Sequence, residues 1–257
     1  AGRIVGVDNE LNGFSFNGVG SATTIEYVQS WAGKDDGLEF FGGRARVKYA
    51  VSTLSDDDSF DWTDGWQGYG QFWLVIQDGT GDHGFEGDNN GDQNTAAPYS
   101  DPRLANITLF GGGGSSTGDG GMLLREGTKA LIWNAIVTGY TEDTAPEFDF
   151  KGFGVATDQD ETLNNISDGS LDIITSVVFG NTTNFANTDG TPDGALTDGI
   201  STDGEGITLE DGVGVTTGGT DPSAVDGWFT PTTNIGAVDP AANWLTGWAL
   251  KPDGSTY

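Results

Sequence analysis

Short runs in which apolar and polar residues alternate recur along the first part of the chain. Their centres lie about a dozen residues apart, at Phe14, Ile25, Leu38, Lys48, Phe60, Trp73 and Phe85. Alternation with a period of two is typical of a half-buried β-strand, and no helix-length segment separates the runs. The pattern therefore predicts an all-β protein.

The runs fall into two alternating classes, so a unit of about two dozen residues contains two strands and two turns. This regularity favours winding in one direction, with like strands stacked on like strands, over a series of antiparallel hairpins. It predicts a parallel β-helix, and the chirality of parallel crossovers makes that β-helix right-handed. Later strands are predicted at 104–109, 122–125, 131–137, 148–155 and 171–179.

Changes in composition divide the chain into three parts. Residues 1–180 are assigned to the β-helix coils. Residues 181–225 are rich in Thr, Asp and Gly, which predicts a long irregular insertion. Residues 226–257 are predicted to cap one end of the solenoid within the same domain. The bulky residues expected to form this cap are Trp228, Trp244 and Trp248.

The composition narrows the possible functions. Glycine supplies 43 of 257 residues, which disfavours a helical bundle, whereas 14 Phe, 8 Trp and 6 Tyr indicate a folded chain. Ten basic against 39 acidic residues give a net charge of −29, which argues against nucleic-acid partners and anionic membrane surfaces. The absence of cysteine excludes disulfides and thiolate chemistry. No apolar run approaches the length of a transmembrane segment.

The beginning of the chain suggests how copies could associate. Strand-like residues follow at once, at Gly2-Arg3-Ile4-Val5, which leads us to expect a processed N-terminus that lacks earlier coils. A first coil without a polar cap would expose strand edges, with which a second copy could pair.

Short motifs in the predicted turns and strands carry a family resemblance. They are NELNG at 9–13, GVGS at 18–21, TTIEYVQ at 23–29, DDGLEFFGG at 35–43, DDSFD at 57–61, GW at 65–66, QF at 71–72, GFE at 84–86, NIGAV at 234–238 and WLTGW at 244–248. These motifs resemble secreted right-handed β-helix proteins, often lipoproteins or cell-surface proteins of aquatic bacteria. The resemblance implies the same fold and an extracellular or cell-surface location. It implies no particular chemistry.

Acidic residues recur at equivalent positions of successive predicted coils. Aligning the coils on Leu38, Phe60 and Phe85 produces three columns: Glu39, Asp61 and Glu86; Asp36, Asp58 and His83; and Asp35, Asp57 and Asp82. Neighbouring coils stack about 4.8 Å apart, where two like charges repel by roughly 3.5 kcal/mol at an effective dielectric of 20. Partly buried carboxylates at this spacing need a proton or a cation.

Calcium fits this set of hard oxygen ligands best. The predicted ligands are Asp35, Asp36, Glu39, Asp57, Asp58, Asp61, Asp82, Glu86 and Asp88. The alternative is a solvated acidic turn that only aids solubility, because Asp-Gly is also ordinary turn chemistry.

Two weaker patterns point to carbohydrate. Asp35-Asp36, His83-Gly84 and Arg46-Val47-Lys48 resemble elements of polygalacturonases, although the basic tripeptide precedes the histidine here and follows it in that family. Trp66 and Tyr69 lie in a glycine-rich loop and are expected to be exposed for sugar binding, with His83 as a third candidate.

The sequence favours an extracellular, non-catalytic β-helix with a structural, adhesive or self-assembling role, stabilised by calcium. Its expected partner is a second copy of itself, joined end to end or laterally into a filament or surface layer. The alternative is a polysaccharide-active lyase or hydrolase, or a carbohydrate-binding module, on the same scaffold.

Overall fold

A computed structural model describes residues 11–112, 120–141, 151–155, 160–187 and 199–257. Two parallel sheets contain most of the described strands. The first sheet consists of β1 (Phe14–Asn17), β3 (Leu38–Phe41), β5 (Phe60–Thr63), β7 (His83–Gly87), β9 (Gly120–Leu124), β11 (Lys151–Val155) and β14 (Thr183–Asn187). The second consists of β2 (Thr24–Trp31), β4 (Arg46–Thr53), β6 (Tyr69–Ile76), β8 (Arg103–Phe110), β10 (Ala130–Thr138), β12 (Leu171–Ile174) and β13 (Val177–Phe179).

The pairing between strands confirms the predicted parallel β-helix. From β1 to β12, successive strands alternate between the two sheets, and all pairs within the two sheets are parallel. Leu38 pairs with Phe60, and Phe60 pairs with Phe85, which is the predicted register. The strand predicted at 171–179 is two strands, β12 and β13, which both pair with β10. Residues 148–150 of another predicted strand lie outside the described residues.

The hydrophobic core lies between the two sheets. Alternate residues of the short strands, such as Leu38 and Phe40, are fully buried there. Aromatic rings from successive coils stack in this core, with Phe40 and Phe60 lying 5.7 and 4.4 Å from the ring centre of Trp73. The indole Nε1 of Trp73 donates a hydrogen bond to the carbonyl of Val47 across the coil boundary. The core therefore joins each coil to its neighbours.

The long strands of the second sheet are each interrupted by one residue with a positive φ. These residues are Tyr27 (φ 57°), Tyr49 (φ 58°), Phe72 (φ 61°), Asn106 (φ 56°) and Asn134 (φ 58°). They occupy equivalent places in successive coils, because strand pairing continues in register on both sides of them. Aromatic residues rarely adopt this conformation, whereas Asn does so more readily, so the coils of Tyr27, Tyr49 and Phe72 carry backbone strain at the same corner. Ring stacking along the corner, at 4.5 Å for Tyr27 with Tyr49 and 5.2 Å for Tyr49 with Phe72, offsets part of that cost.

Beyond the long strands the chain contains little regular structure. Helix α1 (Asp160–Ser167) lies between β11 and β12. Strands β15 (Gly214–Thr217) and β16 (Asn234–Val238) form an antiparallel pair, and short 3-10 turns occupy Pro222–Ala224 and Pro240–Ala242. Among the residues that the structure describes, no helix has the length and apolar character needed to cross a bilayer.

The C-terminal segment packs along the side of the coils. Ala237, Val238 and Leu245 form a hydrophobic cluster with Leu74 and Ile76, which point out of the second sheet. The tryptophans of this segment also contact the sheet, with Trp244 5.3 Å from Tyr49, Trp248 5.8 Å from Tyr27 and Trp228 5.8 Å from Tyr69. The expectation that these tryptophans plug one end of the solenoid is therefore wrong. The part of the outer face that carries Val51, Leu74 and Ile76 is apolar, and the tryptophan-rich segment covers it.

Two glutamines of the second sheet attach this segment to the coils. Gln29 donates to the carbonyl of Leu250 and accepts from its N–H, both at 2.8 Å. Gln71 makes the same pair of bonds with the main chain of Thr230, at 2.9 and 2.7 Å, and also donates to Asn106. These side-chain amides thus provide hydrogen-bond partners for the main-chain groups of Leu250 and Thr230.

Replacing Gln71 by alanine should weaken this attachment. Gln71 is fully buried, and its loss leaves the main-chain groups of Thr230 without their partners. We expect the free energy of unfolding to fall by about 1–3 kcal/mol, and hydrogen exchange to accelerate in β16. Gln93→Ala is the matched control, because Gln93 is exposed and its change should stay within about 0.5 kcal/mol. Equal effects of the two variants in chemical denaturation would contradict the attachment.

Candidate functional site

The predicted acidic columns lie at the beginning of β3, β5 and β7. Strand pairing places Glu39 opposite Asp61, and Asp61 opposite Glu86. The neighbours of these residues along the strands, such as Leu38 and Phe40, point into the core. Because side chains alternate along a strand, the three carboxylates share the outer face of the first sheet.

The second column forms a hydrogen-bonded ladder in the turns before these strands. The N–H of Asp58 donates to Oδ1 of Asp36 at 3.1 Å, and the N–H of His83 donates to Oδ1 of Asp58 at 2.7 Å. The ring of His83 also contacts this oxygen through Nδ1, at 3.0 Å. Each aspartate thus accepts a bond from the equivalent residue of the next coil. This arrangement holds the carboxylates in fixed positions.

Eight of the nine predicted ligands fall in tight groups whose ligand atoms lie within 4.8 Å of one another. The groups are Asp35, Asp36 and Asp57; Asp36, Glu39 and Asp61; Asp57, Asp58 and Asp82; and Asp58, His83 and Glu86. The ninth, Asp88, instead forms an ion pair with Arg125 at 2.9 Å. The structure therefore brings the predicted residues together, and their role as metal ligands remains a prediction.

The middle of the site is buried and lacks compensating charge. Asp36 and Asp61 are each only 8% exposed. Oδ1 of Asp61 is buried without a hydrogen-bond donor among the described residues. Burial, with the added repulsion of Asp58 and Glu39, raises the pKa of Asp36 to about 10. Burial and the charge of Asp36 also raise the pKa of Asp61 well above its usual value. The pair therefore favours a bound proton or a cation.

Basic groups neutralise the other end of the site. Burial alone lowers the pKa of His83, but its hydrogen bond with Asp58 and the surrounding carboxylates outweigh this and raise that pKa to about 9. Arg125 donates to both Glu86 and Asp88. Burial nevertheless keeps the pKa of Glu86 raised, at about 8. Because His83 carries a proton at neutral pH, the uncompensated carboxylates are those of the preceding coils.

The three residues suggested for ligand binding do not form one surface. Trp66 is fully buried in the core, so the expectation that it is exposed is wrong. The glycine-rich turn folds inward and stacks the indole on Phe40, with ring centres 4.2 Å apart. His83 is buried against Asp58. Tyr69 is half-buried on the second sheet, with Phe229 5.3 Å away.

The elements that resemble polygalacturonases are also separated. Asp36 and His83 belong to the first sheet and its preceding turns, whereas Arg46 and Lys48 lie on β4 of the second sheet. Lys48 donates to the carbonyl of Trp228 and to Thr230 of the C-terminal segment. The fold therefore provides no arrangement in which these groups act together.

Comparison with known proteins assigns the fold to a family. A family model described as a pectate-lyase-like β-helix domain matches residues 1–248. The chain belongs to this family. No curated protein matches the sequence. No solved structure matches it. Membership in the pectate-lyase-like β-helix family is compatible with a structural role and with action on polysaccharides, so the function must be inferred from the site.

The role of Arg125 was not predicted from the sequence. Leu124 pairs with Gly87, so Arg125 occupies in the next coil the position of Asp88. Extending the predicted register by one coil would have placed an arginine at the end of the acidic columns. The irregular spacing between β7 and β9 hid this relation, because residues 88–102 form a long loop.

The raised pKa values predict how stability depends on pH in metal-free buffer. The folded-state values of Asp88, Glu86 and Asp36, at about 6, 8 and 10, lie above the unfolded values of roughly 4. The folded protein therefore binds more protons, and this contribution is present in acid and lost as the pH rises through the folded values. We expect the free energy of unfolding to fall by at least about 2 kcal/mol between about pH 5 and pH 8.

Denaturation across this pH range checks the prediction, and two variants locate its source. Asp36→Asn keeps an oxygen that can accept from the N–H of Asp58 but cannot titrate, so the decline should become shallower. Asp56→Asn is the control, because Asp56 is exposed and pairs with Lys34 outside the site. A decline that is unchanged by the Asp36 substitution would exclude the buried carboxylates as its cause.

Proposed function

We propose that this protein is an extracellular, non-catalytic β-helix whose coils are held together by Ca²⁺ bound between stacked carboxylates. Its role is structural or adhesive, in assemblies of its own copies. The observation that carries the proposal is the group of Asp36, Glu39 and Asp61, whose ligand oxygens converge within 4.8 Å in a mostly buried position.

The charge balance of this group supports a bound cation. Among the described residues, no basic side chain lies within ion-pair distance of Asp36, Glu39 or Asp61. Asn12 donates to Glu39 and the N–H of Asp58 donates to Asp36, but neither supplies positive charge. Unpaired buried carboxylates are strongly destabilising, and a divalent ion removes both the repulsion and the lack of donors.

The ligand chemistry supports calcium over other cations. The groups that face one another consist of carboxylates, and the single histidine, His83, is already engaged with Asp58. Calcium accepts six to eight oxygens in flexible geometry, which turn carbonyls and water can complete. Asp36 belongs both to the buried group and to the more exposed group with Asp35 and Asp57, so filling one position affects the other.

An extracellular location supports the same proposal. Extracellular modules bind calcium with dissociation constants of roughly 10⁻⁴–10⁻³ M, which suits a site made from a few shared carboxylates. The resemblance to cell-surface proteins of aquatic bacteria and the net charge of −29 favour this environment. Residues 2–5, from which end-to-end pairing was expected, lie outside the described residues.

Action on an acidic polysaccharide is the second candidate, and the family match is compatible with it as well. Ligand oxygens of Glu39 and Asp61 lie within 4.8 Å of each other, and retaining glycosidases use two carboxylates about 5 Å apart. However, Asp61 is only 8% exposed, which leaves a sugar ring little access to its oxygens. The site therefore fits a bound ion better than a substrate.

Calcium should stabilise the protein at neutral pH. A ligand at 100 times its dissociation constant adds about 2.7 kcal/mol, so the melting temperature should rise with calcium and fall after chelation. Asp61→Asn should abolish most of this rise, whereas Asp56→Asn should retain it, because Asp56 lies outside the groups. Calorimetric titration should show calcium binding more tightly than magnesium. A melting temperature insensitive to both calcium and chelator would refute the proposed role.

A glycan panel, tested for cleavage and for binding, separates the two functions. We expect no cleavage of neutral or acidic polysaccharides with calcium present, because the carboxylates are buried. Cleavage that disappears in Glu39→Gln, but not in Asp56→Asn, would establish the polysaccharide-active alternative. Calcium stabilisation measured on the same samples shows whether the ion site is intact.

A further inference from the structure

A cavity on the second sheet collects positive charge in a strongly acidic protein. It has a volume of about 250 Å³ and lies at the edge where the coils turn into β4, β6 and β8. Its walls are Ser21, Arg44, Arg46, Gln67, Tyr69, Asp101 and Arg103. Three of the ten basic residues of the chain thus converge on one cavity, whereas Asp101 is the one acidic residue of the 39 in its lining.

The stacking of coils explains why the arginines meet. Arg46 pairs with Tyr69, and Tyr69 pairs with Arg103, so these side chains form a column on the outer face of the sheet. Arg44 precedes this column by two residues, as Gln67 and Asp101 do in the next coils. The cavity is therefore built from equivalent positions of three coils, and its shape is fixed by the register of the sheet.

Each arginine is positioned by a neighbour. The guanidinium of Arg46 lies 4.3 Å from the ring centre of Tyr69. Arg44 donates to Oε1 of Gln67 at 3.0 Å. Arg103 donates to both carboxylate oxygens of Asp101, one of them at 3.2 Å. The contacts of Arg44 and Arg46 involve neutral partners, so they orient the guanidinium groups without neutralising them.

The charge within the cavity is unbalanced. Asp101 neutralises one arginine, and within the described part of the chain neither Arg44 nor Arg46 forms an ion pair with a carboxylate. Two positive charges therefore remain beside a half-enclosed space, each with N–H donors still available. Guanidinium groups in this arrangement bind oxyanions through charge-assisted, often bidentate hydrogen bonds.

We propose that this cavity is a binding site for an oxyanion, in which Arg44 and Arg46 contact the ligand and Arg103 supports them. The ligand group is a carboxylate, sulfate or phosphate, carried by a free ion or by an acidic sugar. The site is independent of the carboxylate groups proposed to bind calcium, which lie on the first sheet. In this proposal the ring of Tyr69 holds the guanidinium of Arg46 and does not stack on a sugar as the sequence had suggested. Tyr69 orients Arg46.

The test follows the five arginine side chains by NMR in metal-free buffer of low ionic strength. Sodium sulfate, sodium phosphate and sodium glucuronate are titrated separately, with glucose as the neutral control. We expect saturable shifts of the Nε–Hε signals of Arg44 and Arg46 with at least one anion and none with glucose. The signal of Arg125, which is paired with Glu86 and Asp88, should not move. The preferred anion distinguishes a free tetrahedral ion from a sugar acid.

Charge-matched variants complete the test. Arg44→Gln and Arg46→Gln should each weaken binding about tenfold, as expected for one charge-assisted hydrogen bond. Lys34→Gln removes the same charge from an ion pair with Asp56 outside the cavity and should leave the affinity unchanged. Arg44 is exposed, so its replacement tests the site even if the Arg46 variant folds poorly. The proposal is overturned if no anion gives saturable shifts at millimolar concentration. It is also overturned if the Arg44, Arg46 and Lys34 variants bind the anion with equal affinity.

Discussion

Stacking of each residue about 4.8 Å from its equivalent in the next coil is the constraint on which this structure depends. Inside the coils it is favourable, because apolar and aromatic side chains such as Phe40 and Phe60 pack face to face around Trp73. On the outer surface of the coils, the same stacking brings equivalent side chains of successive coils close together, whatever their charge. An aspartate repeated in the turn produces a column of like charges, which isolated turns would not have.

The same constraint repeats backbone strain. One residue in each long strand adopts a positive φ, and in the first three coils that residue is Tyr27, Tyr49 or Phe72. Glycine would adopt this conformation at lower cost, so these aromatic rings contribute through their contacts. They stack on one another, and Tyr49 and Tyr27 also contact Trp244 and Trp248 of the C-terminal segment at tilted and edge-on angles. The corner therefore also serves to attach the segment that covers the second sheet.

The register of the first sheet was predictable because Leu38, Phe60 and Phe85 occur in equivalent short motifs of successive coils. This alignment predicts that Glu39 lies beside Asp61, and strand pairing confirms it. Burial was harder to predict. The glycines around Trp66 suggested an exposed loop, but they allow the turn to fold inward. The tryptophan-rich segment suggested a cap at one end of the solenoid. Only the apolar outward-facing side chains of β6, Leu74 and Ile76, would have indicated that the segment packs along the side of the solenoid.

Charge in this protein is sorted by position along the coils. Among the described residues, His83 and Arg125 neutralise one end of the acidic columns, which leaves the carboxylates around Asp36, in the earlier coils, with no basic side chain at ion-pair distance. On the opposite sheet, no carboxylate of the described residues forms an ion pair with Arg44 or Arg46. The unpaired carboxylates and the unpaired guanidinium groups cannot neutralise each other, because the hydrophobic core separates them and the register of the sheets fixes their positions. Each is most simply met by an ion or ligand from solution, a cation on one sheet and an oxyanion on the other.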